Sequence, residues 1–296
     1  MVPLVALASP KGNRTFSMDA MPQTPDRPSL SAETDLSQPT LAHVLRNRAQ
    51  SQPKDVAFVA IDGKGKTTDT LNYKTLYQQV LSAATYLKDK AGLGRGDKAA
   101  LLFDEDSSFD FVAVLLACLY SGIVAVPVDP LLFEDDMQRF FGIIADFSAG
   151  VVLANDTQAK LLAKMKRSDS VVIHSVDLNR KKGDETILCE PSSPALVTFR
   201  ARSAKSPVKG VLVDQRAIVA RCSAFAEKFG LNQSTLVVSA LQTMDPVGLI
   251  LNVCLPVFSS CPMSLIPLRR LNSSPSLLWT AASKLNGKSR LALHVV

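Results

Sequence analysis

The sequence has few of the side chains that bind metal ions or build disulfide frameworks. It contains three histidines and five cysteines in 296 residues, and no two cysteines have CxxC spacing. An odd number of widely spaced cysteines, mostly inside apolar stretches, argues against a disulfide-stapled scaffold and indicates buried free thiols. We therefore expect no metal centre and a reducing, cytoplasmic location. The cysteines are Cys118, Cys189, Cys222, Cys254 and Cys261.

The sequence also lacks a basic run of the length that nucleic-acid binding requires. Lys and Arg number 33 against 27 Asp and Glu residues, which gives a formal net charge of +6. The densest basic patch, Arg180-Lys181-Lys182, is followed at once by Asp184 and Glu185. This mixture is typical of a solvated loop, so we predict no nucleic-acid partner.

One apolar run, residues 111–128, has about the length of a transmembrane segment. Ser121-Gly122 interrupts the run, and residues 123–128 are mostly β-branched or small. This composition predicts a buried helix, a glycine turn and an interior parallel strand. We therefore expect no membrane insertion. The apolar start of the chain, residues 1–8, lacks a positively charged region, so we expect no cleaved signal peptide.

The chain changes character near Thr40. Residues 1–39 carry six prolines among Ser, Thr and charged residues, without an apolar period, and are predicted to be a disordered tail. From Thr40, apolar helices alternate with short β-branched runs, which predicts right-handed crossovers and a parallel sheet covered on both faces. We predict a doubly wound α/β fold with a first subdomain over residues 40–191 and a partial second one over residues 192–296.

The predicted elements follow from apolar periodicity and from the residues at their ends. The predicted helices are 40–50, 73–90, 107–121, 135–147, 157–166, 215–229, 247–258 and 275–285. The predicted strands are 56–61, 98–103, 123–128, 150–154, 171–174, 195–199, 235–241 and 263–267. We also expect apolar surface to be exposed around residues 249–258.

Three segments carry a resemblance to a known family. Residues 96–102 read Gly-Asp-Lys-Ala-Ala-Leu-Leu, and residues 117–127 read Ala-Cys-Leu-Tyr-Ser-Gly-Ile-Val-Ala-Val-Pro. They resemble the GD-x-V-A-L-L strand and the A-C-L-Y-A-G-x-V-A-V-P helix and strand of the adenylate-forming (AMP-binding) superfamily. Residues 71–76 resemble the helix start of that family. The resemblance covers residues 41–285 and looks closest to fatty acyl-AMP ligases, acyl-CoA synthetases and their degenerate relatives of the disco-interacting-protein type.

The resemblance implies the N-terminal part of an ATP-dependent ligase that joins a fatty or other carboxylic acid to AMP. The implied cofactors are ATP and Mg²⁺, and the implied partners are a small-molecule carboxylic acid with CoA or an acyl carrier protein. The family's adenine-binding motif, ribose-binding Asp, hinge and catalytic Lys match positions beyond Val296. We therefore assign no catalytic residue and no metal ligand, and expect the chain to be catalytically incomplete.

In this family a loop rich in Ser, Thr and Gly ends in Pro-Lys-Gly and wraps the ATP phosphates with backbone N–H groups. The corresponding residues here, 199–211, end in Lys209-Gly210-Val211 as the family does. The resemblance makes Lys209 and Gly210 the predicted phosphate contacts, with Ser203 and Ser206 as hydroxyl candidates.

The beginning of this loop departs from the family pattern. The Thr-Ser-Gly triplet is replaced by Ala, Arg, Ser and Lys, which leaves Gly210 as the only glycine. A phosphate can still be held by the charges of the basic side chains. The alternative is a basic surface loop without a ligand. The basic side chains in question are Arg200, Arg202, Lys205 and Lys209.

A second departure lies at residues 242–250, where active relatives resemble P-x-x-H-D-M-G-L-I. The Gly-Leu-Ile part remains, but Asp245-Pro246 replaces the His-Asp pair. Asp245 in front of Pro246 is a typical N-cap, so we expect it to begin a helix. Together the two departures keep a second function open, a non-catalytic adenylation-like module for binding or regulation.

Overall fold

The structure, a computed structural model, describes residues 39–104, 108–130, 137–164, 171–176, 178, 185–186, 189–199, 210–239, 241–286 and 292–295. The helices are α1 (Leu41–Ser51), α2 (Tyr73–Asp89), α3 (Ser108–Ser121), α4 (Met137–Asp146), α5 (Asp156–Ala163), α6 (Gln215–Phe229), α7 (Pro246–Gly248), α8 (Leu255–Ser259), α9 (Leu268–Ser273) and α10 (Leu277–Asn286). A π-helical turn, Leu249–Cys254, joins α7 to α8. The strands are β1 (Val56–Ile61), β2 (Thr67–Asn72), β3 (Lys98–Leu102), β4 (Val124–Pro127), β5 (Val151–Ala154), β6 (Val172–Ser175), β7 (Pro194–Phe199), β8 (Gly210–Asp214), β9 (Thr235–Ser239), β10 (Met263–Leu265) and β11 (Ala292–Val295).

Two mixed sheets form the frame of the described part of the chain. One sheet has six strands in the order β6-β5-β3-β4-β7-β8 and is parallel except for the β7–β8 pair. Strands β3 and β4 are parallel neighbours, with Lys98 opposite Val124. This pairing confirms the predicted parallel sheet, on which the interpretation as an α/β fold depended.

The second sheet has five strands in the order β11-β9-β10-β1-β2 and is parallel except for the β1–β2 pair. Strands β1 and β2 come from the start of the chain, whereas β9, β10 and β11 come from its end. Strands β7 and β8, beyond residue 192, instead join the six-stranded sheet. Sheet membership and chain order therefore differ, and the subdomains 40–191 and 192–296 stay a prediction. The predicted tail, 1–39, lies outside the described residues apart from Pro39.

Helix α3 lies in the centre of the largest apolar core. All its residues from Phe111 to Ser121 are buried. A helix that is apolar all round must be covered on every side, and here the inner faces of both sheets and helices α1 and α2 cover it. The apolar run at 111–128 is thus a buried helix and strand, as predicted. None of the described helices combines the length and the apolar composition that crossing a bilayer requires.

Further helices cover the outer faces of the two sheets. Phe140, Ile143 and Ile144 of α4 pack with the outward-facing side chains of β3 and β4. Leu277 and Ala281 of α10 pack with β1 and β9. The central strands of both sheets are therefore buried on both faces, which explains why these strands are apolar runs rather than alternating ones.

Short polar side chains fix where several helices begin. The carboxylate of Asp214 accepts a hydrogen bond from the Ala217 N–H at 2.7 Å, and the amide oxygen of Asn72 accepts one from Thr75 N–H at 2.8 Å. These N-caps satisfy N–H groups that the helix leaves without partners. Gly230 directly follows the last residue of α6, and its φ of +62° suits glycine. The bounds of α6, Gln215–Phe229, agree with the prediction.

The expectation of exposed apolar surface around residues 249–258 is wrong. Every residue from Leu249 to Val257 is buried, and Phe258 packs partly against the same core. Helices α1 and α6 and strand β1 cover this segment. The sheet places β1, from the start of the chain, beside β10, from its end. The sequence did not predict this long-range pairing, which buries the segment.

All five cysteines are free and buried, as the sequence predicted. Burial raises the pKa of the Cys118 thiol to about 12, and burial followed by the nearby Cys261 raises the pKa of Cys222 to about 12. The thiols are therefore protonated at neutral pH. Since the thiolate is the reactive form, the folded chain has little thiol reactivity at these two residues.

We predict that the core helix α3 carries a large share of the stability. Leu115→Ala should lower the free energy of unfolding by about 2–5 kcal/mol, because it removes part of a fully buried side chain and leaves a cavity. Leu161→Ala on α5 is the matched control, since Leu161 is 38% exposed and should cost about 0.5 kcal/mol or less. Urea unfolding followed by circular dichroism measures both. Equal losses in the two variants would contradict the placement of α3.

Candidate functional site

A cavity lies where strands of both sheets end. Strands β3 and β4 of one sheet and β9 and β10 of the other lead directly into its walls. Ligands of open α/β sheets bind outside the carboxyl ends of the strands, so this position is the expected one for a binding site. We call this cavity the edge cleft. It is lined by Phe103, Asp104, Ser108, Phe111, Asp129, Pro130, Leu241, Gln242, Thr243, Met244, Leu265, Ile266, Pro267 and Arg269.

The edge cleft is narrow and has one apolar and one polar part. Its volume is about 40 Å³, which is room for roughly three water molecules. Phe103, Phe111 and Leu265 form apolar walls that are continuous with the buried core. The polar part contains two carboxylates, an amide and a guanidinium: Asp104, Asp129, Gln242 and Arg269.

A hydrogen bond crosses the edge cleft from one sheet to the other. The side-chain amide of Gln242 donates to Oδ2 of Asp129. Asp129 follows β4 of the six-stranded sheet, and Gln242 follows β9 of the five-stranded sheet. The contact therefore joins two loops that are 113 residues apart in the chain.

Hydrogen bonds from Asn252 hold the loop that carries Gln242. The Asn252 side chain, 1% exposed, donates to the carbonyl oxygen of Leu241 at 3.0 Å and to Thr243 Oγ1 at 3.1 Å. It accepts a hydrogen bond from Ser239 Oγ at 2.6 Å. Buried hydrogen bonds of this kind fix geometry because breaking them leaves polar atoms without water. Asn252 therefore sets the position of residues 241–243.

Asn252 lies on the π-helical turn, and the short helix before it supports the same loop. Turns of this kind occur inside α-helices and are frequent at functional sites. Asp245 accepts a hydrogen bond from Val247 N–H at 3.0 Å, with Pro246 as the first helical residue. The predicted cap is confirmed. A Cβ atom on Gly248 would lie 2.0 Å from the carbonyl oxygen of Gln242, so the loop packs where only glycine fits.

A group of carboxylates lies beside the edge cleft, near the ends of β3, β5 and β6. Asp104 accepts a hydrogen bond from the Asn155 side chain at 2.7 Å. Partial burial, followed by repulsion from Asp104 and Asp156, raises the pKa of Asp110. Within the part of the chain that the structure describes, no three His, Cys, Asp or Glu side chains are arranged to hold a metal ion.

The strand that precedes the predicted phosphate loop ends at the same edge of the six-stranded sheet. Strand β7 is parallel to β4, so β7 ends, at Phe199, on the edge where Asp129 follows β4. Lys209, Ser203 and Ser206 lie outside the described residues, and their contact with phosphate stays a prediction.

Gly210, the first residue of β8, has a packing reason to be glycine. A Cβ atom there would lie 2.4 Å from Cε1 of Phe147 and 3.0 Å from Cγ1 of Val197. The Phe147 ring also packs against Phe199, with ring centroids 5.5 Å apart. The structure therefore explains Gly210 by close packing at the base of the loop, and its predicted contact with phosphate remains untested.

The sequence did not identify three polar residues of this region as part of a site: Asp129, Gln242 and Asn252. A signal for the first two was present, because Asp129 directly follows the predicted strand 123–128 and Gln242 directly follows 235–241. Side chains at the carboxyl ends of parallel strands meet at one edge. For Asn252 the signal was one polar residue inside an apolar helical run.

The chain matches the AMP-binding enzyme family over residues 45–286. The medium-chain-fatty-acid–[acyl-carrier-protein] ligase JamA of Moorena producens is 23% identical over 234 residues, which cover 75% of this chain and 39% of that protein. Disco-interacting protein 2 homolog B of Homo sapiens is 27% identical over 251 residues, which cover 81% of this chain and 16% of that protein.

A solved structure shares the fold. The fatty acyl-adenylate ligase of Legionella pneumophila, in complex with acyl adenylate and pyrophosphate, aligns with a TM-score of 0.73 at 22% identity. The alignment covers 84% of this chain and 44% of that one. The predicted α/β fold, with parallel sheets flanked by helices, is confirmed. The chain spans less than half the length of each of these three proteins.

We predict that Gly248→Ala destabilises the fold and displaces the loop that carries Gln242. The added methyl group meets backbone atoms rather than a flexible side chain, so the expected cost is about 1–3 kcal/mol. Gly142→Ala in α4 is the control, because nothing lies within 4 Å of its Cβ position, and it should stabilise by about 0.5–1 kcal/mol. Urea unfolding of both variants measures the difference. A loss of stability in both would argue against the close contact at Gly248.

We also predict that Asn252→Ala loosens residues 241–245. The variant removes three hydrogen bonds of a buried side chain, so we expect a loss of about 1–3 kcal/mol and faster amide hydrogen exchange in that loop. Asn232→Ala is the control, since its bonds to Gly230 and Ser234 are local and exposed. If exchange in the loop is the same in the two variants, Asn252 does not position it.

Proposed function

The chain belongs to the AMP-binding enzyme family, and from this membership we propose that it is the N-terminal part of a ligase that joins a carboxylic acid to AMP. In such a reaction a carboxylate oxygen attacks the α-phosphorus of ATP. The new bond gives an acyl adenylate, and the bond to pyrophosphate breaks. The acid and the triphosphate must therefore be held next to each other, with the attacking oxygen in line with the leaving group.

The observation that carries this proposal is the shared edge of the sheets. The edge cleft opens at the ends of β3, β4, β9 and β10, and β7, which precedes the predicted phosphate loop in the sequence, ends at the same edge as β4. An acid in the edge cleft and a triphosphate on the loop would thus meet at one edge. The cleft's apolar walls suit the hydrocarbon part of an acid, and Arg269 adds a positive charge on its lining.

The basic loop residues would bind the phosphates by charge. A glycine-poor loop offers fewer close backbone N–H groups, so charge-assisted hydrogen bonds from Lys209 and neighbouring Arg and Lys side chains take a larger share. Mg²⁺ would enter with ATP as the counter-ion of the phosphates, and we assign it no residue of this chain.

The chemical class of the acid and of its acceptor is inferred from relatives rather than from the site. The name of the Moorena producens protein specifies a medium-chain fatty acid and an acyl carrier protein. For this chain we propose a carboxylic acid substrate, with CoA or a carrier protein as the acceptor. The five buried free thiols fit the reducing conditions of the cytoplasm, which we propose as the location.

A second candidate is a non-catalytic module that binds an adenylate-like ligand. Two observations favour it. The loop 200–209 has lost the Thr-Ser-Gly triplet of the family pattern, and Asp245, at the place of the His-Asp pair, is used as a helix cap. A module of this kind would retain ligand binding without turnover.

We predict that the chain binds ATP and that Lys209→Ala weakens this binding about tenfold or more. A hydrogen bond between a charged side chain and phosphate contributes about 1.5–3 kcal/mol, and each 1.4 kcal/mol is tenfold in Kd. Calorimetric titration with Mg-ATP measures the effect. Lys160→Ala on α5 is the control for loss of a single positive charge and should leave Kd unchanged.

The same titration separates the candidates. Binding of ATP that is insensitive to Lys209→Ala would contradict the role of the loop. Absence of ATP binding in the unaltered chain, together with binding of an acyl-AMP analogue, would contradict the ligase proposal and favour the non-catalytic module.

A further inference from the structure

We infer that Phe147 is a positioning residue for ATP binding, because its ring holds the two strand ends between which the predicted phosphate loop is inserted. The inference rests on the proposed function, since it concerns how ATP binding by the same loop depends on the rest of the fold. The two strand ends are Phe199, the last residue of β7, and Gly210, the first residue of β8.

Phe199 and Gly210 form the last pair of the β7–β8 ladder. They lie directly opposite each other in the antiparallel register, so the chain leaves the sheet at Phe199 and returns to it at Gly210. Opposite residues of an antiparallel pair face the same side of the sheet. Because Gly210 has no side chain, it leaves a space beside Phe199 on that side.

The ring of Phe147 occupies this space. Its centroid lies 5.5 Å from that of the Phe199 ring, at an interplanar angle of 30°. A Cβ atom on Gly210 would lie 2.4 Å from Cε1 and 2.6 Å from Cζ of Phe147. The ring is therefore packed against both strand ends at once, and an aromatic pair at this separation contributes more than its buried area alone.

The end of helix α4 fixes the position of Phe147, which directly follows the helix. Ser148 has a left-handed conformation with a φ of 54°, and its N–H donates to the carbonyl oxygen of Ala145 at 3.0 Å. The N–H of Ala149 donates to the carbonyl oxygen of Ile144 at 2.9 Å. This pair of hydrogen bonds is a Schellman motif, which closes a helix end. Phe147 is therefore attached to a helix that packs on the six-stranded sheet.

Fixed strand ends favour ATP binding because Lys209, the predicted phosphate contact, is the residue next to Gly210. Ordering a mobile segment on binding costs free energy, so a backbone that is already held in place binds more tightly. The inference also changes the reason for glycine at residue 210. Glycine is required there to make room for the Phe147 ring rather than for a phosphate.

The experiment compares variants by calorimetric titration with Mg-ATP and by urea unfolding. The variants are Phe147→Ala, Gly210→Ala, the double variant with both changes, and Ile143→Ala. Ile143 is the matched control because it is a residue of α4, is 1% exposed and packs in the same cluster. The three atoms nearest the Gly210 Cβ position belong instead to Phe147 and Val197. Ile143→Ala should therefore lower stability without releasing the strand ends.

We expect Phe147→Ala and Gly210→Ala each to weaken ATP binding about tenfold, because either change separates the ring from the strand ends. Ile143→Ala should leave Kd unchanged. The double variant should bind ATP as well as Phe147→Ala alone, because the added methyl group no longer meets the ring. Such non-additivity is the signature of two residues in contact. Amide hydrogen exchange at residues 196–199 and 210–213 should be faster in Phe147→Ala than in Ile143→Ala.

Equal changes of Kd in Phe147→Ala and Ile143→Ala would show that Phe147 has only a general structural role. Additive losses in the double variant would show that Gly210 acts on the phosphate directly, and would overturn the inference. In both cases ATP binding by the unaltered chain would leave the proposed function intact. If the unaltered chain does not bind ATP, the inference fails together with the ligase proposal. Phe147→Leu replaces Phe147→Ala in the comparison if urea unfolding shows that Phe147→Ala does not fold.

Discussion

The burial of α3 is the constraint on which the rest of this structure depends. A helix without a polar face cannot lie at a surface, so it has to be enclosed between the inner faces of both sheets. Strand β3 ends at the edge where α3 begins. The ends of β4, β9 and β10 lie near this point, and the edge cleft opens between them. The edge cleft is therefore located beside the start of the buried helix.

The sequence predicted those parts of the fold whose residues fit only one structural environment. The apolar run of α3 and the β-branched run of β4 have a single low-energy placement, and α6 is delimited by Asp214 and Gly230. Strands β2 and β8 were not predicted. Residues 67–70 of β2 are mostly polar and exposed, and Val211 and Leu212 of β8 are exposed edge residues, so neither has the burial pattern of an interior strand.

The site was predictable only in part, for a physical reason. Local rules predicted the Asp245 cap, because a cap involves residues that are neighbours in the chain. The hydrogen bond between Gln242 and Asp129 joins strands of two different sheets, and no local pattern contains that pairing. Gly210 shows the reverse case. Its match to a family motif suggested phosphate, while the structure also gives it a place under the Phe147 ring.

The five buried thiols are natural probes of local opening in the folded chain. Cys118 lies in α3 and Cys222 in α6, while Cys254 and Cys261 flank α8, so they sample different parts of one core. A thiol in such surroundings becomes modifiable only when its own segment opens to water. The rate at which an alkylating reagent marks each cysteine would therefore map, helix by helix, which parts of the interior come apart first.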